Sequence, residues 1–294
     1  MFAILRIGAI IALGITLLAA GGGAVFFGMR KTPPAPVVKL EPIQVAGPVE
    51  KVIGTSVEGR EIRSYTYGKG PTHLAFVGGM HGGYEWNAVL LAYQFMQYLN
   101  ENPAAIPDVL SVTVIPDINP DGTFKVIGKE GPFTLADVPN TGDESIGRTN
   151  ANGVDLNRNF GCNWQPNAVW RSKPENAGTA AFSEPEARAM RDFATTQKPS
   201  AVVFWHSQAN AVYASECNDG ILPQTLDIMN AYAKAAGYPA VKSFDSYKVT
   251  GDSEGWLASI GIPALTVELK THKTVEWNKN LAGIQALFDY YSKR

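Results

Sequence analysis

Four ionisable residues stand where apolar runs end. His81 and Glu85 follow Leu74–Val77, His206 follows Ala201–Trp205, and Glu268 lies near the end of Ile262–Leu269. An imidazole nitrogen and a carboxylate oxygen both bind a borderline cation such as Zn2+, and a strand-to-helix turn can aim two such groups at one point. The turn Val77-Gly78-Gly79-Met80-His81-Gly82-Gly83-Tyr84-Glu85-Trp86 is rich in glycine, which permits a sharp reversal of the backbone. An ionisable group at the edge of an apolar run is costly to bury unless it is paired or metal-bound. A satisfied structural histidine is the commoner case for either imidazole alone. With all four at expected strand ends or helix starts, a chance gathering of structural residues becomes a much less frequent explanation.

The elements that must position them follow from hydrophobic spacing. Glu61 to Tyr67 alternates as a strand does, Gly68-Lys69-Gly70-Pro71 reverses the chain, and Leu74–Val77 reads as a buried strand. From Glu85, the spacing of Val89, Leu90, Tyr93, Phe95, Met96 and Leu99 suits an amphipathic helix closed by Asn102-Pro103. Leu110–Ile115 is the next strand and runs into the dense turn signal Pro116–Gly122. A helix over Glu184–Gln197, a strand over Ala201–Trp205, a helix over Leu222–Ala236 and a strand over Ile262–Leu269 continue the alternation. The pattern predicts a single α/β domain, a mixed, mostly parallel twisted sheet with helices on both faces, and a ligand site at the strand ends.

The chain has 294 residues, 45% hydrophobic and 18% charged, with a net charge of -2. That balance carries no basic stripe for nucleic acid. The uncharged run from Ile7 to Met29, flanked by Arg6 and Arg30-Lys31, is long enough to cross a bilayer. The reading favours an uncleaved membrane anchor over a signal peptide, with the small residues Ala19–Ala24 leaving cleavage open. The division is therefore 1–30 anchor or signal, 31–48 proline-rich linker and 49–294 catalytic domain, the last expected to be monomeric. Two cysteines, Cys162 and Cys217, suit one disulfide in an exported domain, either membrane-anchored outside the cytoplasm or secreted.

Taken in order, the blocks resemble the zinc carboxypeptidase family, the M14 metallocarboxypeptidases. They are Gly54-x-Ser56-x-x-Gly59-Arg60, Asn119-Pro120-Asp121-Gly122, Gly153–Phe160, Phe182-Ser183-Glu184-Pro185-Glu186, His206-Ser207, Tyr247-x-x-Thr250-Gly251-Asp252-x-x-x-Trp256 and Thr266-Val267-Glu268-Leu269. The resemblance implies a carboxypeptidase-like fold and one Zn2+ per chain held by His81, Glu85 and His206, with water at the open position. It implies Glu268 as general base, Arg148 as the cation that meets the tetrahedral oxyanion, and Asn157 with Arg158 as holders of the substrate's terminal carboxylate. Tyr247 resembles the tyrosine that closes over substrate. Read without the family register, Arg148 and Arg158 are ordinary loop arginines. The activity implied is removal of a C-terminal residue from a peptide by metal-activated water. Alternatives are a cell-wall peptidase acting on diaminopimelate-containing peptides of peptidoglycan origin, and a silent carboxylate-binding relative.

Two points separate this chain from the family pattern or leave it open. The family's first two ligands are usually spaced His-x-x-Glu, whereas three residues lie between His81 and Glu85, so the turn has to absorb one more. Glu254 falls where members with basic specificity carry an acid at the floor of the side-chain pocket, but it reads equally as a surface acid in the first turn of a helix running to Ser259. Cys162 and Cys217 both flank the expected cleft, and the pair is expected to be joined. Trp164 and Trp170 read as pocket lining or as packing.

Overall fold

The computed structural model describes residues 47–140 and 144–294. The apolar run 7–29 and nearly all of the proline-rich segment lie outside the described residues, among which no helix is long and apolar enough to cross a membrane. The chain forms β1 (Val49–Thr55), β2 (Glu61–Gly68), β3 (Thr72–Val77), α1 (Trp86–Glu101), β4 (Leu110–Ile115) and α2 (Pro120–Ile127). A hairpin of β5 (Asn167–Trp170) and β6 (Lys173–Asn176) precedes α3 (Pro185–Gln197), β7 (Ala201–Ser207), β8 (Ala211–Ala214), α4 (Pro223–Ala236) and β9 (Ala240–Val241). The last elements are α5 (Ser253–Ser259), β10 (Ala264–Leu269) and α6 (Trp277–Ser292).

The main sheet runs β1-β2-β4-β3-β7-β10-β8-β9. Its centre, β4-β3-β7-β10, is parallel, while β1, β2 and β8 join antiparallel at the flanks. Side chains alternate across each central strand. Leu74 and Phe76 point into the core formed with α1, α4 and α6, and Ala75 and Val77 into the core under α3 and α5. Burial on both faces explains why these strands read as continuous apolar runs. From β3 the chain crosses to β4 on one side, and β7 lies on the other, so the C-terminal ends of β3 and β7 part from one another at a switch point. Such crevices are where open α/β sheets take their ligands.

Several elements differ from the sequence reading. The turn signal at Pro116–Gly122 opens α2, because Asn119 Oδ1 accepts a hydrogen bond from Gly122 N at 3.0 Å and Pro120 occupies the first helical position. The edge strand β1 was not foreseen. It is exposed along most of its length and lacks an apolar alternation. The sequence pattern also gives no sign of the β5–β6 hairpin, β8, β9 and α6; the four short strands gain their pairing from neighbours rather than from their own pattern. Cys162 and Cys217 are joined across a separation of 55 residues, as expected. Because the bond closes a long loop in the unfolded chain, the double variant Cys162→Ser/Cys217→Ser, like the reduced wild type, should be less stable by about 2–4 kcal/mol in urea denaturation.

Candidate metal centre and cleft

β3 ends at Val77, and Gly78–Met80 carry the chain over the sheet's edge to His81. The residue added between His81 and Glu85 is taken up by a 3-10 turn over Gly82–Glu85. That turn needs its glycines: Gly82 has a φ of 45°, and a Cβ on Gly83 would lie 2.5 Å from Val126 Cβ. Glu85 is thereby brought back onto His81, so the longer spacing does not turn it away. Its Oε1 lies 2.8 Å from His81 Nδ1 and its Oε2 lies 3.0 Å from His206 Nδ1. One ligand atom from each of the three residues falls within 4.8 Å of the others, and all three side chains are buried.

Tautomer logic tests whether a cation fits. His81 Nε2 lies 3.2 Å from Asp155 Oδ1 and His206 Nε2 lies 3.4 Å from Glu254 Oε1. These are carboxylate contacts rather than well-aligned hydrogen bonds, yet an acceptor facing each Nε2 favours the proton there. Both Nδ1 lone pairs are then directed at the oxygens of Glu85. Lone pairs facing lone pairs repel unless a positive charge sits among them, which is what a metal ion supplies. The electrostatics run the same way. Burial would raise Glu85, but the charges of His81 and His206 hold it well below the ordinary carboxylate range. Burial would lower His206, but Glu85 and Glu254 raise it well above the usual imidazole value. The cluster attracts a cation or protonates itself.

Register places the remaining carboxylate. In the parallel β7–β10 ladder, Glu268 is the partner of His206 and Thr266 the partner of Phe204. Side chains two apart share a face, so Thr266 and Glu268 project on the same side as His206. Burial pushes the Glu268 carboxyl up to about 7, with the charge of Glu85 adding to the effect. Glu268 Oε2 also accepts a hydrogen bond from Ala209 N at 3.1 Å.

The profile of the family described as zinc carboxypeptidase matches residues 48–290. The chain belongs to this family. It is 26% identical over 243 residues to the gamma-D-glutamyl-L-diamino acid endopeptidase 1 of Lysinibacillus sphaericus, covering 74% of this chain and 59% of that one. It is 35% identical over 121 residues to the carboxypeptidase N catalytic chain of Rattus norvegicus, covering 37% and 25% respectively. The matched region is thus less than two thirds of either relative. Among solved structures, bovine thrombin-activatable fibrinolysis inhibitor in complex with tick carboxypeptidase inhibitor superposes with a TM-score of 0.69 at 19% identity, over 84% of this chain and 91% of that one. At that identity the likeness is one of fold.

In this zinc carboxypeptidase domain the cleft encloses about 820 Å3 and is lined by His81, Glu85, His206, Arg148, Asn157, Arg158, Tyr247, Glu254 and Glu268, among others. All nine residues expected at the metal, catalytic and substrate positions therefore share one cavity. Arg148 is buried, donating from Nη2 to Asp155 Oδ2 at 2.7 Å, with its guanidinium 4.3 Å from the Trp170 ring centre. Tyr247 packs edge-on against Phe244 at 4.8 Å. Glu254 does lie in the first turn of α5, but it is buried rather than superficial, bonded to Thr266 Oγ1 at 3.0 Å and Ser253 Oγ at 2.8 Å. Trp164 donates its indole N–H to Ala177 O at 3.0 Å, which is packing, whereas Trp170 lines the cleft.

Sequence reasoning missed Asp155 as a residue in its own right. It is fully buried, touches both His81 and Arg148, and their charges hold it well below the usual range against the burial that would raise it. Its place two residues before Asn157 was the available signal. Tyr84, Ser207 and His272 also line the cleft; Tyr84 stands in the glycine-rich turn and Ser207 in the His206-Ser207 block, but the sequence pattern assigns no role to any of the three. Asp155→Asn should lower Zn2+ affinity about 10–100-fold in competition with a chromophoric chelator. Glu85→Ala should retain no stoichiometric zinc after dialysis.

Proposed function

We propose that this domain is a zinc-dependent exopeptidase that removes the C-terminal residue of a peptide. The observation that carries the reading is the set of donors left over in the cleft. Asn157 Oδ1 accepts from Ser253 N at 2.9 Å, which fixes the side chain and leaves its NH2 to donate. Arg158 donates from Nη1 to Asn157 O at 2.6 Å and from Nε to Val169 O at 3.3 Å, and among the described residues no hydrogen bond uses Nη2. An amide NH2 and a guanidinium N–H side by side in a cleft match the two oxygens of a terminal carboxylate. That contact sets the scissile bond one residue in from the chain end.

His81, Glu85 and His206 would hold one Zn2+, whose chemistry is to acidify a bound water and polarise the scissile carbonyl. Glu268, beside His206 in register and raised toward neutrality, takes the attacking water's proton and returns it to the leaving amine. Arg148 carries a fixed positive charge for the oxyanion; such a charge acts on the transition state because it is held in place beforehand. Asp155 keeps it so held. Tyr247 closes on the substrate from the Phe244 side. The disulfide supports a site outside the reducing cytosol.

For the terminal side chain, buried Glu254, with Asp252 close by, makes the pocket acidic. Burial pushes Asp252 up to about 6, and the charge of Glu254 adds to that. A residue bearing an amino or guanidino group, such as Lys, Arg or diaminopimelate, fits that sign of charge. A second reading, cleavage of a γ-D-glutamyl bond to a diamino acid in a cell-wall peptide, is favoured by the name of the Lysinibacillus relative and uses the same acidic pocket. A silent carboxylate binder is disfavoured, since it has no use for Glu268 next to the metal.

Glu268→Gln should lower kcat about 100- to 10,000-fold with zinc content and KM little changed; a variant with full activity would remove the base assignment. Glu254→Gln should lower kcat/KM for peptides ending in Lys or Arg about 10–100-fold relative to those ending in Leu. Its metal content has to be measured alongside, because Glu254 also touches His206.

A further inference from the structure

The cleft has two walls. One joins Asn157, Ser253, Glu254 and Thr266 through hydrogen bonds, and on the proposed reading it receives the terminal residue. The other is aromatic: Tyr84 packs on His272 at 4.6 Å and on Trp170 at 5.8 Å, and Trp170 packs on Arg148. Tyr84 immediately precedes the ligand Glu85, and Ser207 immediately follows the ligand His206. On that reading the terminal carboxylate is held at Asn157 and Arg158, which leaves the second wall for the residue on the amino side of the scissile bond.

A chain of hydrogen bonds fixes the orientation of His272. Asn87 donates from Nδ2 to Thr271 O at 2.7 Å and to Thr274 O at 3.0 Å, so its Oδ1 must be the acceptor edge. Ser207 Oγ donates its single proton to that Oδ1 at 3.0 Å. The 2.8 Å contact between Ser207 Oγ and His272 Nδ1 therefore has the imidazole as donor. This direction cannot activate Ser207 as a nucleophile. It sets His272 in the Nδ1–H tautomer, with the lone pair on Nε2. Burial lowers the pKa of the ring, which keeps it neutral near pH 7. Among the described residues no hydrogen bond uses Nε2, and His272 lines the cleft.

We propose that His272 is a specificity residue whose Nε2 accepts a hydrogen bond from the backbone N–H of the substrate residue preceding the scissile bond. The inference rests on the exopeptidase reading and sharpens it. An α-linked peptide carries that N–H one carbon away from the scissile carbonyl. A γ-glutamyl linkage has a methylene in its place. His272 thus selects for α-peptides, and Tyr84 holds the ring at the required angle.

The test compares benzoyl-Gly-Lys with its N-methylglycine analogue, which lacks the N–H, on the zinc-loaded full chain. Wild type should favour the N–H substrate about fivefold in kcat/KM, the usual worth of one hydrogen bond. His272→Phe keeps a ring against Tyr84 and should cleave the two at equal rates, whereas His272→Gln retains an acceptor and should retain preference. A purely steric effect of the methyl group would persist in His272→Phe, and persistence overturns the proposal. So does a wild type that cleaves both equally, and in either case the exopeptidase reading stands because both peptides are cleaved. Cleavage of neither, with zinc bound and a γ-D-glutamyl peptide hydrolysed instead, overturns the exopeptidase reading and the role of His272 with it.

Discussion

The Glu85 carboxylate lies between two imidazole nitrogens, and the rest of the site is arranged around that contact. Each oxygen faces one Nδ1 within hydrogen-bond distance, and the three groups are withdrawn from water. Such a cluster is unfavourable without positive charge at its centre, because desolvated lone pairs repel and an unpaired buried carboxylate is costly. Asp155 and Glu254 add to the demand by standing behind the two rings and drawing the protons to the far nitrogens. On the proposed reading, five side chains rather than three would build the affinity for a divalent cation.

Holding these groups together falls to the sheet. β3 and β7 are neighbours whose chain connections leave in opposite directions, so the loops beyond their ends enclose a crevice. His81 comes from the loop after β3, and His206 comes from the last turn of the pleat in β7. The ladder to β10 sets Glu268 next to His206, and the period of two along a strand makes both face the same way. A slip of one residue in that pairing would turn Glu268 to the opposite core. The register is secured by Val202, Phe204 and Ala264, which interlock in the core beneath.

Two loops from distant parts of the chain complete the cleft, and each is tethered more than once. Asn157 accepts from Ser253, Phe160 N donates to Gly251 O at 2.8 Å, and Gly251 N donates to Cys162 O at 2.8 Å. The disulfide from Cys162 to Cys217 ties the same region to the segment after β8. On the proposed reading, rigid support of this kind keeps donors aimed at a substrate carboxylate in the absence of substrate, which lowers the ordering cost of binding.

Much of this was legible in the chain itself. The strand read over Leu74–Val77, the helix read from Glu85, the Leu110–Ile115 strand, the helix read over Glu184–Gln197 and the ionisable residues at strand ends follow from hydrophobic period and from ionisable groups at the edges of apolar runs, both local properties. The short spacing of Pro120 after Asn119 masked α2, since capping residues and turn residues are the same types. β1 and the β5–β6 hairpin draw their stability from partners and carry little pattern. Sequence alone determined which residues had the chemistry for the site. Tertiary structure decided that a longer His81–Glu85 turn still closes, that Asp155 and Glu254 stand behind the histidines, and that His272 presents an acceptor. Those outcomes depend on which lone pair meets which proton across long stretches of chain, and no local pattern encodes that.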